Sequence, residues 1–216
     1  MKVITIDGPS AAGKGTIGAN LSQRLNCFYL DSGMLYRQIA AWVLADGASL
    51  TEESDVKNIV AKKLPFLKWV QGYVPSEDLR APKISDAASK IGVFQEVRRL
   101  ANQYQRDLVS ASSGWVIVDG RDAGTVVFPD AVVKLFITAS PNIRAKRRYL
   151  QLIERGYTSD LYELEEEIIQ RDLRDQKRDI APLKPAPDAY IIDTSEETID
   201  ESVQRVLKYL EKYIDA

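Results

Sequence analysis

Nine residues constrain this chain more than any others: Gly8-Pro9-Ser10-Ala11-Ala12-Gly13-Lys14-Gly15-Thr16. They follow a short apolar run, Val3 to Ile6, and open a stretch with helical periodicity, Lys14 to Leu25. A strand that ends in a glycine-rich turn and leads straight into a helix aims successive backbone N–H groups at one point. The helix N-terminus adds positive potential there. Lys14 is placed to reach the β- and γ-phosphates of a nucleotide as a point charge. Motif and context coincide, which separates the segment from a glycine-rich turn that binds nothing.

The hydroxyl of this loop, Thr16, lies two positions after Lys14, with Gly15 between. This variant resembles the loop of nucleoside monophosphate kinases, which implies a Mg²⁺ ion held mainly through waters and substrate phosphates. Many switch GTPases instead place the hydroxyl directly after the lysine. The chain also has no separate Asn-Lys-x-Asp segment for reading guanine.

What the chain lacks narrows its chemistry further. Its 216 residues include no histidine and one cysteine, Cys27. That excludes a Ser-His-Asp triad, His-Glu-x-x-His zinc chemistry, an imidazole base and an intrachain disulfide. Lys and Arg number 29 against 31 Asp and Glu. Duplex-binding proteins usually carry a basic excess, so no nucleic-acid partner is expected and any cationic site must be local. The N-terminal apolar run is too short for a signal-peptide core, and no run approaches the roughly 18 apolar residues of a membrane span. A cytoplasmic protein with no membrane partner is the expectation.

Beyond the loop, Phe28–Leu30 is a second strand candidate. Ser32 is placed to cap a helix reaching about Ala45, with Leu35, Ile39, Trp42 and Val43 on one face. From Asp46 to Arg80 the pattern loosens into an insertion, with a polar helix near Glu52–Lys62 and then Phe66–Val70 and Gly72–Val74 as arms of a hairpin. One long helix is predicted from about Ile84 to Val109. Trp115–Val118, ending in Asp119-Gly120, reads as a strand buried on both faces, and Val132–Thr138 as another. Pro141 opens a helix to about Arg155, ended by Gly156, and Leu161–Arg178 is helical and densely charged. Ala189–Ile192 is the last strand, and Ile199–Tyr213 an amphipathic helix. Strands alternating with helices predict an α/β fold, a parallel five-stranded sheet with helices on both faces.

Three further segments carry candidate chemistry. Leu30-Asp31-Ser32-Gly33-Met34-Leu35-Tyr36-Arg37 follows the second strand. Capping explains Asp31 and Ser32, but the carboxyl edge of a strand is also where open α/β sheets bind ligands. Asp119 ends an apolar strand, as an acid that orients magnesium-bound water does, with Arg121 and Asp122 in the turn beyond. An Asp-Gly turn with a local ion pair is the structural alternative. Finally, Arg171, Arg174 and Arg178 fall on roughly one helical face, each followed by an acid, Asp172, Asp175 and Asp179. They make either a solvated, salt-laced helix or a cationic comb for a phosphoryl group. Arg144, Arg147 and Arg148 on the preceding helix are a second set. Spacing alone leaves both readings open.

Together, residues 8–16, 30–37, the Asp-Gly-Arg-Asp-Ala-Gly-Thr-Val-Val-Phe-Pro-Asp block at 119–130 and Arg-Asp-Leu-Arg-Asp-Gln-Lys-Arg at 171–178, followed by Ala181-Pro182-Leu183, resemble the bacterial cytidylate kinases. The resemblance runs from residue 2 to the C-terminal helix, and the 119–130 block is its most specific part. It implies a P-loop NTPase-type core, usually monomeric, that moves the γ-phosphoryl of ATP to CMP or dCMP. Ser89, Arg98, Asp122 and Arg178 would then face the cytosine, Arg171 and Asp175 the sugar, and Arg37 and Arg121 the acceptor phosphate. Asp31 and Ser32 join this substrate-binding set. Lys14, Arg121, Arg171 and Arg174 are the catalytic candidates. Residues 8–16 with Arg147 would hold ATP, and Asp119 and Thr16 would stand near Mg²⁺ without ligating it directly.

The expected organisation is a core at 1–31, 114–143 and 184–216, an acceptor-binding region at 32–113 and a helical lid at 144–183. Family members often carry a longer β-rich insertion, and the 64–80 segment here is abbreviated. Two other functions stay compatible with the residues. One is a kinase for UMP, AMP or shikimate, against which the Asp122 block argues. The other is a nucleotide-dependent switch module whose activity lies in a partner.

Overall fold

In the computed structural model, which describes residues 2–69 and 78–214, the N-terminal apolar run forms strand β1, Lys2–Asp7. Val3, Ile4, Thr5 and Ile6 are all buried, so the strand is closed on both faces. Next come α1 (Lys14–Leu25), β2 (Phe28–Asp31), α2 (Ser32–Ala45) and α3 (Glu53–Lys63). They are followed by α4 (Pro82–Ile91), α5 (Gln95–Ser110), β3 (Trp115–Asp119), β4 (Val133–Thr138), α6 (Pro141–Glu154), α7 (Leu161–Lys177), β5 (Tyr190–Asp193) and α8 (Ile199–Ile214).

The strands form one five-stranded sheet in the order β2-β3-β1-β4-β5. β1 pairs in parallel with β3 (Ile4 beside Ile117, Ile6 beside Asp119) and with β4 (Ile6 beside Leu135), and β4 pairs in parallel with β5. Strand order reverses direction around β1, which places the carboxyl ends of β1 and β3 side by side at a switch point, where sheets of this kind bind ligands. One face of the sheet is covered by α1 and α8, whose Ile17, Leu21, Val203, Val206 and Leu210 pack with Ile4, Ile6, Ile117, Leu135, Ile137 and Ile192. A smaller apolar cluster, Ala145, Leu152, Leu164 and Ile168, holds α6 against α7.

The chain divides into two compact units, Leu30–Gly114 and Lys2–Tyr29 with Trp115–Ala216. The second carries the sheet core and the phosphate loop. The first is helical, with α2 packed on α4 and α3 on α5. Among the described residues, no helix is long and apolar enough to cross a membrane.

Several expectations need correction. The single helix predicted over Ile84–Val109 is two, α4 and α5, broken at Gly92-Val93-Phe94. Gly92 weakens a helix by about 1 kcal/mol, and the bend lets Ile91 and Val97 both reach full burial. The cap of α2 is Asp31, whose Oδ1 accepts from the Met34 N–H at 3.0 Å, and Ser32 is the first helical residue. Arg178 lies just past α7 on extended backbone, so only Arg171 and Arg174 of the arginine comb are helical. Of the predicted hairpin, the described part of the first arm is not a strand, since Leu64–Phe66 is a 3-10 turn and Leu67–Trp69 is irregular; Val70 and the second arm, Gly72–Val74, lie outside the described residues.

Candidate active site

The phosphate loop is formed as its sequence requires. Gly8 has φ 145° and sits so close to β4 that a Cβ would come 1.9 Å from the Ile137 carbonyl oxygen, which no side chain survives. Gly13, left-handed at φ 95°, is the N-cap of α1, and neither a side-chain cap nor a first-turn acid covers the helix start. Those open N–H groups suit a phosphate. Lys14 is 5% exposed, and its Nζ donates to the Pro9 carbonyl at 2.8 Å, so the ammonium is folded over the loop.

Asp119, at the end of β3, accepts from the Tyr29 hydroxyl on Oδ2 at 3.1 Å. A Cβ on Gly15 would lie 3.6 Å from that same oxygen. The carboxylate therefore stands beside the loop at Gly15. Tyr29 was invisible as a site neighbour in the sequence. So was Asp7, the last residue of β1, whose Oδ1 and Oδ2 accept from the Ala123 and Gly124 N–H groups at 2.8 and 2.7 Å. Burial pushes Asp7 up to about 6, opposed by those two hydrogen bonds, with the neighbouring Asp122 charge adding and Lys14 subtracting. The only sequence signal was a carboxylate ending a buried strand directly before Gly8.

The segment after β3 meets the end of α7. Arg121 Nε lies 3.3 Å from Asp175 Oδ2, and Arg178 NH2 lies 3.7 Å from Asp122 Oδ1. Asp175 is buried, and the Arg178 and Asp122 side chains are only 9% and 10% exposed. Arg178 also donates through Nε to the Ala181 carbonyl. Arg171 is lowered to about 10, first by burial and then by the like charge of Arg121, with Arg174 and Arg148 adding and Asp175 opposing. Its Nε is buried without a partner among the described residues. The guanidinium groups of Arg121, Arg174 and Arg148 thus stand close enough to Arg171 to be felt by it, with Asp175 the carboxylate that opposes them.

Arg144 and Arg147 sit differently from a cationic comb. Arg144 donates to the Ala139 carbonyl at 2.8 Å and the Ser10 carbonyl at 3.2 Å, and pairs with Asp172 at 2.6 Å. It is a structural bracket between the loop and α7. Arg147 donates to the Thr194 carbonyl at 2.6 Å and to its hydroxyl at 3.0 Å, while Thr194 in turn donates to the Ala12 carbonyl. Arg147 thus flanks the loop at Ala12, and burial lowers its pKa.

In the Leu30–Gly114 unit, Asp31 caps α2 and lies 3.9 Å from Arg80 NH2. Half-buried Arg37 contacts the Met34 sulfur at 3.7 Å. Arg98 is buried, donates to the Gly92 carbonyl at 3.0 Å and lies over the Tyr36 ring. The Ser89 hydroxyl is buried without a partner among the described residues, as are Ser85 Oγ, Asn102 Oδ1 and Gln105 Oε1. The loop, Asp119, Arg121, Asp122, Arg147, Arg171, Arg174, Asp175 and Arg178 share one unit, and Asp31, Ser32, Arg37, Ser89 and Arg98 the other.

A family model described as cytidylate kinase matches residues 4–212. The chain belongs to the cytidylate kinase family. It is similar to the cytidylate kinase of Chromobacterium violaceum, with 45% identity over 97% of this chain and 96% of that protein. It is also similar to cytidylate kinase 1 of Haemophilus influenzae, with 42% identity over 97% of this chain and 94% of the relative. Among solved structures, shikimate kinases from Bacteroides thetaiotaomicron (TM-score 0.51, 16% identity, 97% of this chain and 98% of that one) and Acinetobacter baumannii (TM-score 0.51, 15% identity, 99% and 96%) share the fold. At that identity the likeness is one of architecture, and it supports the α/β P-loop fold of this cytidylate kinase family member.

Proposed function

We propose that this protein transfers the γ-phosphoryl group of ATP to CMP and dCMP, giving ADP with CDP or dCDP. The observation that supports this best is the meeting of Arg121 with Asp175 and of Asp122 with Arg178 in the unit that carries the phosphate loop. An oxygen of the acceptor phosphate attacks the γ-phosphorus, that bond forms as the bridging β–γ oxygen leaves with ADP, and no covalent enzyme intermediate is needed. Loop amides and Lys14 hold the donor phosphates, with Arg147 on the flank at Ala12. Arg121, Arg171 and Arg174 neutralise the transferring group, and Arg37 and Arg121 hold the acceptor phosphate. Asp119 and Thr16 suit a Mg²⁺ ion bound through water, which when present neutralises charge on the β- and γ-phosphates.

Base choice is assigned to Asp122, with Arg178 as its counter-charge and Ser89 and Arg98 as further cytosine contacts. An ionised carboxylate only accepts hydrogen bonds, so it matches the exocyclic amino group of cytosine and opposes the carbonyl of uracil. Arg171 and Asp175 are assigned to the sugar, and Asp31 and Ser32 to the acceptor side. We assign the Leu30–Gly114 unit to acceptor binding, residues 144–183 to a lid and the rest to the core. The protein would act as a cytoplasmic monomer, in keeping with its single, buried cysteine.

The test is coupled ADP release across CMP, dCMP, UMP, AMP and shikimate. Acceptor-dependent ADP production fastest with CMP or dCMP is expected. A preference for another acceptor would reassign the substrate, and ADP release indifferent to every acceptor would overturn the kinase assignment.

A further inference from the structure

Asp122 stands on a turn whose backbone is held from outside. Its own carbonyl accepts from the Val126 and Val127 N–H groups, which close a single π turn over Ala123–Val127. The first two N–H groups of that turn, those of Ala123 and Gly124, point into the protein and end on the two oxygens of Asp7. The fit is tight. A Cβ on Gly124 would lie 2.6 Å from Thr5 Oγ1 and 3.3 Å from Asp7 Oδ2, so only glycine lets the turn settle onto the carboxylate. Asp7 is 4% exposed, and that burial disfavours its charged form and pushes the carboxyl up to about 6. A neutral residue would spare that penalty, but it would not offer two acceptors to two adjacent amides.

We propose that Asp7 is a positioning residue for base choice, setting through the Ala123 and Gly124 amides where the Asp122 carboxylate stands. Asp7 touches no substrate in this account. The inference rests on the assignment of Asp122 to the cytosine amino group. It concerns a link in the chain from β1 to the turn to the Asp122–Arg178 pair, each step of which is a contact of 2.7 to 3.7 Å or a peptide bond.

The experiment is kcat/KM for CMP and for UMP, with KM for ATP, on the wild type, Asp7→Asn, Asp122→Asn and the double variant. Asparagine keeps the shape of Asp7 but offers one acceptor and turns an amide donor toward the second N–H. The CMP/UMP ratio does not depend on how much of the enzyme is folded, so it is readable even on a destabilised preparation. Asp7→Asn is expected to narrow the ratio about tenfold, the order produced by a misplacement well under 1 Å. In the Asp122→Asn background it should change nothing further. If Asp7→Asn does not fold, Gly124→Ala lifts the same turn off Asp7 and carries the same expectation.

An unchanged ratio in Asp7→Asn beside a narrowed one in Asp122→Asn overturns the positioning role and leaves Asp122 as the base reader. Equal narrowing by Asp7→Asn in both backgrounds overturns it too, because the effect would then bypass Asp122. A raised KM for ATP with an unchanged ratio marks a purely structural strand end. An unchanged ratio in Asp122→Asn removes the base-reading assignment itself, and the inference with it.

Discussion

Arg144 offers the sharpest test of how the phosphate loop and α7 are held together. Its guanidinium is 3% exposed and meets three acceptors: the Ala139 carbonyl, the Ser10 carbonyl and Asp172 Oδ2. Asp172 is 13% exposed, and its Oδ1 has no partner among the described residues, so the pair depends on the single 2.6 Å contact. Removing one partner of a buried ion pair costs about 3–5 kcal/mol, largely because the other charge is left uncompensated. For a chain of this length that lowers Tm by roughly 6–20 °C. Arg144→Met, which keeps the apolar stem, should show that loss. Asp172→Asn should cost less, because Arg144 keeps its two carbonyls and a neutral acceptor. In the Arg144→Met background Asp172→Asn should be stabilising, with a coupling of at least about 1 kcal/mol. Urea unfolding of the four proteins measures all of this. Additive effects, or a loss below about 1 kcal/mol for Arg144→Met, would refute the bracket.

Lys14→Ala removes one charge-assisted donor from a closed site and should lower kcat by roughly 10²–10³, read by steady-state kinetics on a variant shown by thermal melting to be folded. Arg171→Ala removes a repelled, partly unsatisfied cation, so it should cut activity sharply at nearly unchanged Tm. Arg178→Ala should lose activity and also more stability, since its Asp122 partner is buried. Melting curves beside kinetics separate the two. Asp7, raised from 3.8 to about 6, binds its proton more tightly in the native state. Its contribution to stability is therefore full below about pH 4 and is lost as pH rises through about 6. The destabilisation caused by Asp7→Asn should shrink by about 2 kcal/mol between pH 4 and pH 7, and a pH-independent difference by urea unfolding would show that Asp7 is not shifted.

Local chemistry made much of this legible beforehand. Residues 8–16 announce a strand, a turn and a helix within a few positions, and apolar runs such as Trp115–Val118 mark strands buried on both sides. Elements held by their neighbours were harder. Val93 and Phe94 continue an apolar pattern through Gly92, so nothing in periodicity separates α4 from α5. Asp31 and Ser32 are both good caps, and only the Met34 N–H chooses between them. Charge spacing likewise left the 171–178 arginines undecided. The pairings of Arg121 with Asp175 and Arg178 with Asp122 join residues far apart in the chain, and they depend on where α7 ends. The same holds for Arg144, which looked like part of a comb and is a bracket. Asp7 was unreadable because its partners are backbone amides, which leave no trace in a side-chain pattern.

The central claim is transfer to a cytidine monophosphate, and the products test it most directly. With the protein, MgATP and CMP mixed in equal amounts of nucleotide, phosphorus NMR should show CDP and ADP rising together, with little inorganic phosphate. Loss of ATP to inorganic phosphate with CMP untouched, or no ATP consumption at all, would contradict the account.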